Sequence, residues 1–118
     1  MSIPLPQELI DRYHLTSPEQ LAAALGFQVT RATEEPRLPG VAVWSEFKPQ
    51  REIILYVAAL RRAAAQRGQP FARFEQWSIA HELYHALAET HAISAWRVRE
   101  TAADMWADEL MALGSREA

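Results

Sequence analysis

The sequence predicts an α+β domain: a small three-stranded sheet packed with a motif-bearing helix and a C-terminal helix. Three observations carry this. Phe27-Gln28-Val29-Thr30 alternates apolar and polar as a half-buried strand does, and two more strand-like runs follow by residue 57. On both sides of that stretch apolar residues recur at helical spacing. The strand-like runs follow one another without an intervening helix, which argues for α+β rather than alternating βαβ. At 118 residues the chain has the length of one domain, 1–118, with a modest core.

Pro4 and Pro6 open a short helix over about Gln7–His14. Ser17-Pro18-Glu19-Gln20 then reads as a helix start, with Ser as N-cap, Pro at the first helical position and Gln three residues after the cap. Leu21 and Leu25 continue that helix until Gly26 ends it. Phe27–Thr30 alternates as a strand, and Val41–Trp44 and Glu52–Val57 read as two more, joined by a turn near Lys48-Pro49-Gln50. Ala58–Arg67 is a helix stopped by Gly68-Gln69-Pro70. Further helices are predicted over about Phe74–Ala88 and Arg97–Leu113, with a loop near His91–Ala95 between them and Gly114 as the final stop.

Composition narrows the chemistry. Hydrophobic residues at 49% and charged residues at 23% describe an ordinary globular protein and argue against disorder. The chain has no cysteine, so a disulfide scaffold, a thiol nucleophile and Cys-ligated zinc are excluded, and a metal would need His and carboxylate ligands. No run of 18 apolar residues exists and Met1–Pro6 is no signal peptide, so a cytoplasmic location without membrane contact is the expectation. The net charge of −3 is unevenly spread. Residues 1–74 hold nine basic and seven acidic residues, whereas residues 75–118 hold three and eight. The last third is acidic.

That acidic third contains His81-Glu82-Leu83-Tyr84-His85, an H-E-x-x-H motif. On a helix, residues four apart share a face with Cβ atoms about 5–6 Å apart. Two imidazoles so spaced can close on one Zn²⁺, each at about 2.0–2.1 Å. Glu82 lies about 100° further round the helix, beside the metal without ligating it, where it can take a proton from a water in the open coordination position. Ile79, Ala80, Leu83 and Leu87 fall on the opposite side, so the back of the helix packs while the histidines face a cleft. Two ordinary surface histidines are the rival explanation for the motif.

Catalytic zinc usually keeps three protein ligands, so a third is needed. Glu100 lies on the final helix, 15 residues beyond His85, and Asp104 follows one turn later on the same stripe. Glu100 can ligate while Asp104 accepts from the far nitrogen of a ligating histidine, fixing its tautomer. Ala103 and Ala107 lie beside them and would let two helices approach closely. Val98, Ala102, Met105, Trp106 and Leu113 line another side, expected to be buried. The competing third ligand is His91. Residues 81–91 match the metzincin spacing H-E-x-x-H-x-x-G-x-x-H except that Ala88 stands at the Gly position, where a Cβ makes the left-handed turn costly. Glu100 is therefore placed ahead of His91.

Beyond the motif, Trp77-Ser78-Ile79-Ala80 leads into His81–His85, and a later stretch runs Glu100-Thr101-Ala102-Ala103-Asp104-Met105-Trp106-Ala107-Asp108-Glu109-Leu110-Met111. Together these resemble the ImmA/IrrE family of zinc metallopeptidases. Glu100 falls on that family's metal-binding Glu, Ala103 on its Ala, Asp104 on its Asn, and Trp106-Ala107 on its Phe-Ala. Residues 21–27 are similar to its N-terminal helix leading into the first strand. The closing Leu-Met-Pro is Met111-Ala112-Leu113 here, and an Arg-rich helix separates the strand at 53–57 from the motif helix. The resemblance implies a minimal zincin-like fold, a thermolysin-like site and, as substrate, a helix-turn-helix transcriptional repressor.

The expectation is thus a zinc-dependent endopeptidase, with zinc held by His81, His85 and Glu100. Glu82 is its base, with a pKa raised toward neutrality. Tyr56, Tyr84, His91 and Arg97 are all available as oxyanion stabilisers, and nothing in the sequence chooses among them. Two readings compete: a catalytically silent zinc module of the same fold, and a nucleic-acid binder using Arg61, Arg62, Arg67 and Arg73. The four arginines lack interleaved aromatics apart from Phe71, so direct nucleic-acid binding is not expected.

Overall fold

A computed structural model describes residues 5–14, 17–33, 45–48, 51–90 and 96–117. The chain is α+β. Its elements in order are α1 (Pro6–Tyr13), α2 (Pro18–Ala24), β1 (Gln28–Ala32), β2 (Ser45–Lys48), β3 (Glu52–Tyr56), α3 (Val57–Gln66), α4 (Phe71–Thr90) and α5 (Trp96–Glu117).

The two N-terminal helices begin where proline chemistry places them. Each has Pro in its first turn, where a missing N–H costs nothing. Ser17 caps α2, its Oγ accepting from the Gln20 amide at 3.2 Å. His14 closes α1 in the left-handed conformation, φ 54°, and its amide donates to the Ile10 carbonyl. Leu9, Ile10, Leu21 and Ala22 go into the core.

β3 is central, in the order β1-β3-β2. It pairs in parallel with β1, Gln28 opposite Glu52 through Ala32 opposite Tyr56, and antiparallel with β2, Ser45 opposite Leu55. Of the strands expected from sequence, those at 27–30 and 52–57 correspond to β1 and β3. The one expected at 41–44 lies outside the described residues; the strand on the far edge of β3 covers Ser45–Lys48, a segment no sequence signal marks as a strand. Two charges in four residues disguised it, yet edge strands commonly carry charge, which discourages pairing with another chain. The central position suits β3, whose Ile53 and Leu55 are completely buried.

Helix α3 starts directly from β3 and buries Ala59, Leu60, Ala63 and Ala64 on one stripe. It ends as glycine chemistry dictates: Gly68 takes φ 64° and the Gln69 amide returns to the Ala64 carbonyl at 2.9 Å. Helix α4 begins at Phe71, three residues before the predicted start, because the Pro70 carbonyl accepts the Phe74 amide. Its 20 residues span about 30 Å at 1.5 Å per residue. Helix α5 runs antiparallel to it and does not stop at Gly114 but continues to Glu117. A glycine inside a helix costs only about 1 kcal/mol relative to alanine, which the flanking turns absorb.

One hydrophobic cluster joins both ends of the described chain: Leu9 and Ile10 of α1, Leu55 of β3, Ile79 and Leu83 of α4, and Trp106 and Leu110 of α5. Ala103 and Ala107 have no exposed surface, so α5 approaches the core through its smallest side chains. Met105 is a correction. Expected on a buried flank, it is 68% exposed, because it lies about 100° from Trp106 on the helix and the burial stripe is narrower than predicted. At the surface, Arg31 of β1 clamps α2 to α4, 2.8 Å from Glu19 and 3.1 Å from Glu75.

Candidate metal centre

Helix α4 sets the first half of the site. Its one-turn spacing sets His81 and His85 edge to face, with ring centroids 4.8 Å apart, and brings their Nε2 atoms to 3.1 Å. The back of the same helix is fixed in the core by Ile79, Ala80 and Leu83, each wholly buried, so the front must face outward from the core. The second half comes from α5. Antiparallel packing puts Trp77 beside Asp108, with the indole N–H donating to Oδ1 at 2.8 Å. Further along, Tyr84 packs against Trp106, centroids 6.0 Å apart. In that register Glu100 meets the histidines: Oε2 is 3.5 Å from His81 Nε2 and Oε1 is 2.7 Å from His85 Nε2.

These three side chains are able to hold a metal ion, their ligand atoms lying within 4.8 Å of one another. The donor chemistry fits a divalent cation of the kind bound by imidazole and carboxylate. Two ligands at about 2.0–2.1 Å in tetrahedral arrangement sit about 3.4 Å apart. The 3.1 Å and 3.5 Å separations bracket that spacing, and the 2.7 Å separation is that of a charge-assisted hydrogen bond. Each histidine and Glu100 is partly buried, between core and solvent. Of the four candidate ligands, His91 lies outside the described residues.

Asp104 stands one turn beyond Glu100, with Oδ1 2.9 Å from His81 Nδ1. The contact lacks the alignment of a hydrogen bond, and Nδ1 is buried without an aligned partner. Asp104 thus approaches the nitrogen that faces away from the ligand point, which is the position of a group that orients a metal-binding imidazole.

Glu82 is buried, 8% exposed, on the flank of α4 that meets the sheet. Its Oε2 accepts a hydrogen bond from Ser45 Oγ at 2.7 Å. Ser45 was not anticipated from sequence: it lies on a strand placed by tertiary pairing, 37 residues from its partner, and no local pattern marks it. Of the residues considered for oxyanion stabilisation, Tyr84 is buried edge-on to His85 at 6.1 Å and Tyr56 is buried at the end of β3. His91 and the side chain of Arg97 lie outside the described residues. Beside the centre, Phe74 and Trp77 stack at 5.6 Å and line a cleft of about 400 Å³ shared with Arg67, Arg73, Asp104 and Asp108.

No protein-family model, curated protein or solved structure matches the chain.

Proposed function

We propose that the chain is a zinc-dependent endopeptidase related to the ImmA/IrrE metallopeptidases. The observation that supports this most is the convergence of His81 Nε2, His85 Nε2 and a carboxylate from a distant helix, with Glu82 following His81 directly in the chain. Zinc, when bound, would lower the pKa of a water and polarise the scissile carbonyl. The chain's own residues would do the rest. His81, His85 and Glu100 hold the cation and leave one side open. Glu82 takes a proton from the attacking water and returns it to the leaving amine. Asp104 orients the His81 ring. The proposed substrate, a helix-turn-helix repressor, rests on the resemblance of residues 77–111 alone. A cytoplasmic location and the absence of direct nucleic-acid or membrane partners belong to the same reading. Among the described residues no helix is long and apolar enough to cross a membrane.

The test is cleavage of a co-incubated repressor by zinc-loaded protein, with and without chelator, beside Glu82→Gln. The reading predicts chelator-sensitive cleavage that vanishes in the variant while bound zinc is retained. A second reading, a catalytically silent metal-binding module, is favoured by the enclosure of Glu82, 8% exposed. It predicts bound zinc and no cleavage.

A further inference from the structure

We propose that Ser45 is the positioning residue for Glu82: its hydroxyl, delivered by the edge of the sheet, fixes the carboxylate that acts as base. This rests on the peptidase reading above. Ser45 Oγ donates to Glu82 Oε2 at 2.7 Å, the ordinary length of a well-formed O–H···O hydrogen bond. A glutamate has three rotatable bonds, and one lodged in a largely buried setting without a donor would carry a desolvation cost and wander among rotamers. Ser45 supplies such a donor. The donor is itself held by rigid structure, since Ser45 pairs with Leu55, a residue of β3 with no exposed surface. The carboxylate is therefore referenced to the sheet, while the imidazoles are referenced to α4 and α5.

This placement has a chemical consequence. A proton acceptor works only within hydrogen-bond reach of its proton, and a displacement of about 1 Å can cost 10²-fold in rate. A carboxylate offers about four lone-pair sites, so accepting from Ser45 leaves acceptor capacity for the attacking water. Ser45 touches neither substrate nor metal. It acts through Glu82.

The experiment uses the zinc-loaded full chain and a peptide chosen by its cleavage from an internally quenched library. Ser45→Ala should lower kcat about 10–100-fold, the range typical of groups that orient an active-site residue, with KM within about twofold. Zinc content should be unchanged. Ser45→Thr, which keeps the hydroxyl and suits a strand, should recover most of the loss. Independently of activity, urea midpoints of metal-free Ser45→Ala, Glu82→Ala and the double variant should be non-additive, because each truncation removes the same bond, whereas Gln would keep an acceptor oxygen. An active wild type in which Ser45→Ala keeps its kcat, or additive midpoints, overturns the inference alone. A zinc-loaded wild type that cleaves nothing, with non-additive midpoints, overturns the peptidase reading and the inference with it.

Discussion

His85 Nε2 and Glu100 Oε1 lie 2.7 Å apart, although 15 residues separate them in sequence and they sit on different helices. Nothing local enforces this contact. It follows from the antiparallel register of α4 and α5, which Trp77 with Asp108 and Tyr84 with Trp106 set.

Removing the distant ligand should therefore remove the metal. Glu100→Ala is expected to lose bound zinc when dialysed and analysed for metal, with the fold retained by circular dichroism. His91→Ala should keep one zinc per chain. Loss of metal in His91→Ala and not in Glu100→Ala would reverse the order of the two candidates.

Asp104→Ala should weaken zinc binding about 10–100-fold without abolishing it, as expected for a group that orients a ligating histidine. Competition with a chelating dye measures this. An unchanged affinity would make Asp104 an ordinary surface carboxylate.

The close approach of α5 to the core depends on alanine. Ala107→Leu should cost about 1–3 kcal/mol, since an enlarged side chain at a fully buried position must displace its neighbours. Urea denaturation reads the loss, and metal affinity should fall with it, because moving α5 moves Glu100. A destabilised variant with wild-type metal affinity would uncouple the helix packing from the site.

The Arg31 clamp gives a pH dependence whose sign is fixed. The hydrogen bond from Arg31 holds the Glu19 carboxyl below its ordinary value of 4.5, opposed by partial burial and helped by Gln76. Glu19 accordingly contributes stability that is fully present above pH 4.5 and is lost as the pH falls through its lower folded value. Both partners are more than a third exposed, so the contribution is under about 1 kcal/mol. Arg31→Met should lower the urea midpoint more at pH 7 than at a pH below the folded value of Glu19. Equal losses at the two pH values would point to packing by the arginine stem instead.

Much of the candidate site is legible in the sequence, because its spacing is local. His81, Glu82 and His85 are one helical turn, and Glu100 with Asp104 is another. What sequence could offer for their meeting was a stripe of small residues, Ala103 and Ala107, which hinted at close helices without giving a register. Ser45 was invisible. Its role depends on strand pairing, and the Ser45-Glu46-Phe47-Lys48 segment carries too much charge to read as a strand. The helix ends erred for weaker reasons: Gly114 is tolerated inside α5, and Pro70 starts α4 a turn early. Met105 misled because an apolar residue on an amphipathic helix is an imperfect guide to which narrow stripe is buried.

Anomalous diffraction at the zinc edge from crystals grown with one equivalent of zinc tests the centre most directly. The account predicts a single peak within about 2.0–2.2 Å of His81 Nε2, His85 Nε2 and a Glu100 carboxylate oxygen. A peak bound by the two histidines with Glu100 turned away, or no peak between them, would contradict it.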